Sequence, residues 1–252
     1  MEPRPRVLVE ACVDAIDSAL EAERGGAHRL ELCGELLQGG VTPSAGLIGA
    51  VWERIDIPLY VLIRPRVGDF LYSVDERDVM LRDIEHAKAL DVDGIVIGAL
   101  TRFGDIDVGT THRLIEAAGV MDVTFHRAFD FVRDPALALE TLVELGIDRV
   151  LTSGGAPTAL EGAEAIERLV RQANGRIEVL AGGAISADNV AEVVRRTGVR
   201  EVHLRAATRV ESEMEHRRDG LSLTRPAAAG EYERVMARAD EMGRVVAALS
   251  LS

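Results

Sequence analysis

Residues 123–151 read VTFHRAFDFVRDPALALETLVELGIDRVL, and the architecture of the chain is decided in that stretch. It opens on one apolar run, Val123–His126, and closes on another, Arg149–Leu151. Between them Asp134 stands before Pro135, a capping side chain ahead of a proline suited to the first helical position. Gly146 falls where a helix must stop before the next strand, a place that favours a left-handed residue. The stretch predicts strand, helix and strand in succession.

The same unit recurs outward in both directions. Further strand-like runs are Arg6–Ala11, His28–Leu32, Leu59–Ile63, Gly94–Ile97, Ile177–Leu180 and Val202–Leu204, which brings the number to eight. Their near-continuous apolar character predicts strands buried on both faces, as in a parallel sheet covered by helices. Thr42-Pro43 predicts a second capped helix start, and Ser73 with Glu76 and Thr158 with Glu161 have capping-box spacing. Leu47, Ile48, Val51, Trp52 and Ile55 form one helical stripe, which makes Trp52 a core residue. Gly119, Gly175 and Gly198 repeat the role of Gly146. Successive β-helix-β units impose right-handed crossovers. Eight of them in 252 residues predict an α/β protein with a single (β/α)8 TIM barrel over residues 1–252. A doubly wound open sheet is the alternative, but the GxGxxG turn that would support it is missing after the first strand. Ala206–Gly230 is long and polar, with Gly220 and Pro226, and predicts an extended loop after the eighth strand. A last helix should follow, with Tyr232, Val235, Met236, Ala239, Met242 and Val246 on one face.

Composition narrows the function. Lys and Arg number 29 against 42 Asp and Glu, a net charge of −13, which argues against nucleic acid and anionic membranes as partners. With 47% hydrophobic residues and only 4% aromatic, the core must be built from Val, Leu, Ile and Ala. No apolar run approaches the roughly 18 residues of a membrane span. Met1–Arg6 lacks a signal-peptide stretch, and two cysteines cannot make a disulfide scaffold, so a cytoplasmic protein is expected.

In a barrel the working face lies at the carboxyl ends of the strands. There the sequence places Glu10 and Cys12, Glu31 and Cys33, Arg64-Pro65-Arg66 followed by Asp69, His126 through Asp130, Ser153-Gly154-Gly155, Gly182-Gly183, and His203 with Arg205. Any one of these charges fits a structural ion pair as well as a catalytic role. Taken together they predict a polar pocket in which Glu or His moves protons and Arg holds a carboxylate or phosphate. Arg64 and Arg66 are the expected grip on a small anion. Gly182-Gly183, ahead of a helix expected near Ser186, could add backbone N–H groups for that anion, with Ser153 in the preceding loop. Glycine also suits such turns for their own sake. His28, His86, His112 and His216 lack ligand-spaced partners and are expected to be solvated.

Several of these segments are long and specific. Arg64-Pro-Arg-x-Gly-Asp-Phe-Leu-Tyr-Ser73, Thr124-Phe-His-Arg-Ala-Phe-Asp130, Leu151-Thr-Ser-Gly-Gly155, Glu31-Leu-Cys33 and Gly39-Gly-x-Thr-Pro-Ser44 resemble, in order, the signature segments of the CutC family. The resemblance runs from about Val7 to His203. It implies a cytoplasmic TIM barrel assigned to copper homeostasis and copper binding, with no agreed reaction. Its site positions here are Glu10, Glu31, Arg64, Arg66, Asp69, His126, Asp130 and His203. Arg205 departs from the small residue common in the family, and Ala181-Gly-Gly-Ala-Ile185 from a more glycine-rich turn.

Three functions follow: a protein binding Cu(I) through thiolates, an enzyme doing acid–base chemistry on a small anionic substrate, or a binding module, with a homo-oligomer compatible with each. The family reading is preferred and the enzyme kept as the alternative. Cys12 and Cys33 each lie two residues after a glutamate on adjoining strands. If Glu10 and Glu31 are level, the cysteines are level too and can share one Cu(I) ion. Without the resemblance, two small buried apolar residues would be the simpler account.

Overall fold

The computed structural model describes residues 7–218, 220, 221 and 230–250. Eight strands form a closed parallel barrel in sequence order: β1 (Leu8–Val13), β2 (Arg29–Leu32), β3 (Leu59–Leu62), β4 (Gly94–Ile97), β5 (Asp122–Phe125), β6 (Arg149–Thr152), β7 (Glu178–Gly182) and β8 (Glu201–Leu204). β8 returns to pair with β1 and leaves no open edge. Seven helices fill the crossovers: α1 (Ile16–Arg24), α2 (Ala45–Trp52), α3 (Val74–Ala89), α4 (Val108–Ala118), α5 (Pro135–Glu144), α6 (Ala163–Ala173) and α7 (Val190–Thr197). The expected (β/α)8 architecture is present. The start of the first expected strand, Arg6, lies outside the described residues.

Alternation along each strand divides the barrel wall into two environments. Val9, Ala11 and Val13 join Leu30, Leu32, Val61, Ile95 and Phe125 in the apolar core beneath the helices. The intervening positions look inward, where the apolar cluster is small: Cys12, Cys33, Tyr60, Leu62 and Val96. Leu151 and Leu180 are buried there too, and the other inward residues are polar: Glu10, Arg29, Glu31, Thr124, His126 and Arg149. A barrel normally packs this space with branched aliphatic layers. Here charge replaces them.

Local chemistry sets the helix starts. Asp134 accepts from the amides of Ala136 and Leu137 with Pro135 opening α5, as expected. Ser73 and Glu76 complete a reciprocal capping box on α3. α2 differs: its cap is Ser44, which accepts from the Leu47 amide, and Pro43 precedes the helix. The Thr42 hydroxyl is engaged elsewhere, accepting from the Arg64 amide at 2.9 Å and donating to the Arg64 carbonyl. Thr42 thereby fixes the segment that carries Arg64. Trp52, expected in the core, is the last residue of α2 and stands 43% exposed.

The tail also departs from expectation. The segment after β8 forms an antiparallel pair, β9 (Ala207–Glu211) with β10 (Glu233–Ala237), so Tyr232 precedes a strand and Val235 and Met236 lie within it. Only then does α8 (Ala239–Ser250) begin, and it closes the helical ring beside α1 and α7. Pro226 and the centre of the expected loop lie outside the described residues. Among the described residues no helix is long and apolar enough to cross a membrane.

Candidate functional site

The interior is built upward from a plug of ion pairs at the amino ends of the strands. Arg29 donates through Nε to Glu10 and through Nη2 to Glu201 at 2.6 Å. Arg149 reaches the same Glu201 oxygen at 3.2 Å and donates to the Tyr60 hydroxyl at 3.1 Å, which in turn donates to Asp122. Both guanidinium groups lie over the Tyr60 ring, 4.9 and 5.1 Å from its centroid. Buried charges are tolerated when paired in this way. Arg29, Arg149 and Glu201 open their strands, and attention to strand carboxyl ends alone passes over them.

Above the plug the register departs from expectation. Glu10 is level with Arg29 and His203, whereas Glu31 is level with Cys12. The two glutamates are therefore staggered by two residues, and so are the cysteines. The side chains still converge. His203 Nδ1 lies 2.7 Å from Glu10 Oε1 and 3.3 Å from Glu31 Oε2. Cys33 Sγ is 3.6 Å from Glu31 Oε1 and 3.6 Å from Cys12 Sγ.

Burial opposes ionisation of Glu10, but the Arg29 and His203 charges outweigh it and hold the carboxyl near 2. Burial, with the Cys12 sulfur beside it, pushes Glu31 up to about 8, so it carries its proton at neutral pH. The hydrogen bond between Cys12 and Cys33, against the cost of burial and with help from His203, brings Cys12 down to about 6. Cys33 itself is pushed up by burial and by the Cys12 sulfur. His203 pays the same desolvation cost, yet Cys12, Glu10 and Glu31 hold it protonated. One thiolate, one thiol, one neutral acid and one imidazolium thus meet in one buried cluster.

This cluster is the floor of a cavity of about 520 Å³ at the carboxyl ends of the strands, lined also by Arg64, His126, Phe70, Leu151, Gly183 and Arg205. Of the residues expected at one mouth, Glu31, Arg64, His126 and His203 line it together with both cysteines. Glu10 lies just below, reaching it through His203. Gly182 is level with His203, and a Cβ there would come within 2.6 Å of Leu151.

The remaining expected positions lie away from the floor. Arg66 is spent on Glu76, on Asp69 and on the carbonyls of Asp69 and Leu71 at the rim. Asp130 accepts from the Thr152 and Ser153 hydroxyls, from the Ser153 and Gly155 amides, and from Arg127. Asp130 and Ser153 together pin the turn after β6. The helix expected near Ser186 begins at Val190, and the Ser186 amide is donated to Asn189 Oδ1 at 2.9 Å.

The fold and this floor define a (β/α)8 barrel with a thiol, carboxylate and imidazole site at its carboxyl-end mouth. Residues 7–208 match the CutC family, and the chain belongs to it. It is 48% identical over 225 residues, 89% of this chain and 83% of the relative, to a mouse protein named copper homeostasis protein cutC homolog. A CutC family protein of Pasteurella multocida is 52% identical over 196 residues, 78% of this chain and 80% of the relative. The crystal structure of a CutC protein from Streptococcus agalactiae superposes with a TM-score of 0.75 at 34% identity, covering 78% of this chain and 97% of that one. A thiamine phosphate pyrophosphorylase from Pyrococcus furiosus, at 16% identity and TM-score 0.61 over 98% of both chains, shares the fold alone.

Proposed function

We propose that this chain serves copper homeostasis in the cytoplasm by holding Cu(I) between the sulfurs of Cys12 and Cys33. The observation that carries the reading is the 3.6 Å separation of two free thiols at the floor of an open cavity. Soft sulfur donors favour Cu(I) over hard cations, and a carboxylate oxygen of Glu31 lies within 4.8 Å of both as a weaker third donor. Cys12 is already poised as a thiolate beside the His203 imidazolium. The mouse relative's name, copper homeostasis protein, supports the same reading.

Anaerobic Cu(I) titration against a competing chelator tests it. The parent should hold one equivalent that the double variant Cys12→Ser, Cys33→Ser loses while keeping its circular dichroism. Equal uptake by both would move copper elsewhere and make the cysteines core residues.

A second reading rests on Glu31, a neutral acid facing the cavity beside His203: acid–base chemistry on a small anionic substrate. Turnover abolished by Glu31→Gln but kept by Cys12→Ser would favour it over the copper site.

A further inference from the structure

Two residues that line the cavity, Arg64 and His126, each carry a buried N–H with no hydrogen-bond partner in the protein. His126 accepts the Ala128 amide at Nδ1, 3.0 Å away, so its ring proton resides on Nε2. That Nε2 is buried and has no hydrogen-bond partner, although the residue is only 6% exposed. The ring cannot turn away to find one. Phe70 packs against it with centroids 5.1 Å apart, Phe125 flanks it, and Gly98 leaves no more than its own footprint, since a Cβ there would sit 2.3 Å from His126 Cε1.

Arg64 is the second donor. It is 7% exposed, and its terminal nitrogens are taken by the carbonyls of Gly39, Gly40 and Gly68 at 2.7–3.1 Å. Those bonds orient the guanidinium but do not neutralise it. No carboxylate pairs with Arg64 among the described residues, unlike Arg29 and Arg149 below it, and its Nε lacks a partner. The Arg64 guanidinium lies 5.1 Å from the same Phe70 ring that flanks His126. A buried cation without a counter-ion beside a buried N–H without an acceptor is costly unless a ligand supplies both.

We propose that Arg64 and His126 form a binding subsite for the carboxylate of a small organic acid, whose apolar body rests on Leu36, Leu62, Leu151 and Ile185. Two N–H donors suit the two oxygens of one carboxylate. The aliphatic walls suit a short hydrocarbon chain better than the further hydrated oxygens of a phosphate. Burial and the Arg64 charge keep His126 neutral, near 3, so it donates without adding a second positive charge. The subsite stands whether or not the thiols bind metal.

Butyrate is the probe, with butyramide and inorganic phosphate as comparators, followed by calorimetry and by nitrogen-15 NMR of the imidazoles. Butyrate should bind one to one and shift the His126 Nε2–H resonance in the parent, an observation that needs no variant. His126→Phe, which keeps a flat ring but cannot donate, should weaken butyrate about tenfold or more, the scale of a lost charged hydrogen bond. His126→Gln, which restores a donor, should recover most of that loss. Butyramide binding as well as butyrate would overturn the anion assignment, and phosphate binding as well would overturn the carboxylate. An unmoved His126 resonance, or equal affinity in His126→Phe, would overturn the subsite itself.

Discussion

Removing the Cys33 thiol should change the charge of a different residue. Cys12 ionises at about 6 instead of its ordinary 9.0, and the largest cause is the hydrogen bond from Cys33, 3.6 Å away, ahead of the opposing cost of burial and the help of His203. At pH 7 a thiol ionising at about 6 is roughly 90% thiolate, and one ionising at 9.0 is roughly 1%. In the metal-free protein Cys33→Ala should therefore move the Cys12 midpoint most of the way back toward 9.0. Cys33→Ser keeps a hydroxyl donor and should fall between the two. His203→Asn removes the imidazolium and its hydrogen bond and should also raise the midpoint. The ultraviolet absorbance of the thiolate, followed against pH, reads each midpoint directly, with Cys12→Ser as the blank. A parent protein whose first thiol ionises near 9.0 would refute the electrostatic account of the floor. So would a Cys33→Ala variant that still titrates at about 6.

Other perturbations reach different layers of the barrel. Glu201→Ala takes one carboxylate from each of two buried guanidinium groups, leaving Arg29 to Glu10 and Arg149 to Asp122 and Tyr60, and should cost about 3 kcal/mol in urea unfolding; a loss below about 1 kcal/mol would show that the plug is hydrated. Glu31 binds its proton up to about 8 in the folded protein but only to about 4.5 when unfolded, so its contribution to stability is complete below 4.5 and is lost as pH rises through 8. Glu31→Gln, which cannot ionise, should flatten that decline in thermal melts taken across the window, and an unchanged slope would mean Glu31 is ionised throughout. Gly98→Ala would drive a methyl into the His126 ring and should displace it, seen as a changed imidazole NMR signature with the far-ultraviolet dichroism retained; an unaltered His126 signal would show that the ring has room to move.

The eight barrel strands were legible because each is a short run carrying buried apolar residues and bounded by turn residues, even where charge alternates with them as in Arg29–Leu32 and Glu201–Leu204. β9 and β10 were not, because Thr208, Arg209, Glu211, Glu233 and Arg234 are polar and only Ala237 of the pair is buried. The α2 start was misplaced by two residues for a tertiary reason: the Thr42 hydroxyl serves the Arg64 backbone, and Ser44 is the next residue able to cap. Period-two alternation correctly put Glu10, Cys12, Glu31 and Cys33 on the inner face, but it carries no information about height. The stagger between β1 and β2 set that height. It lifted Glu31 to the level of Cys12 and left Glu10 to Arg29. The short segment Arg64–Asp69 likewise announced two arginines without showing that Arg66 would be consumed at the rim by Glu76, ten residues on.

Charge balance explains why ligand chemistry belongs to one end of this barrel. At the amino end Arg29 and Arg149 are answered by Glu10, Glu201 and Asp122, each at ion-pair distance, and Tyr60 fills the space between them. Such a layer is self-sufficient, so a substitution there should register as lost stability. At the carboxyl end the accounts are left open. His203 faces a thiolate that a soft metal ion could claim, Arg64 has no carboxylate partner among the described residues, and His126 offers a proton that nothing accepts. Desolvated groups of this kind raise the free energy of the empty site and lower that of the filled one, because a ligand restores what burial removed. The thiols meet a soft cation's needs and the Arg64–His126 pair meets a hard anion's. Both sets line the same cavity of about 520 Å³. Substitutions at the mouth should therefore register first in what the protein binds, and only secondarily in how firmly it folds.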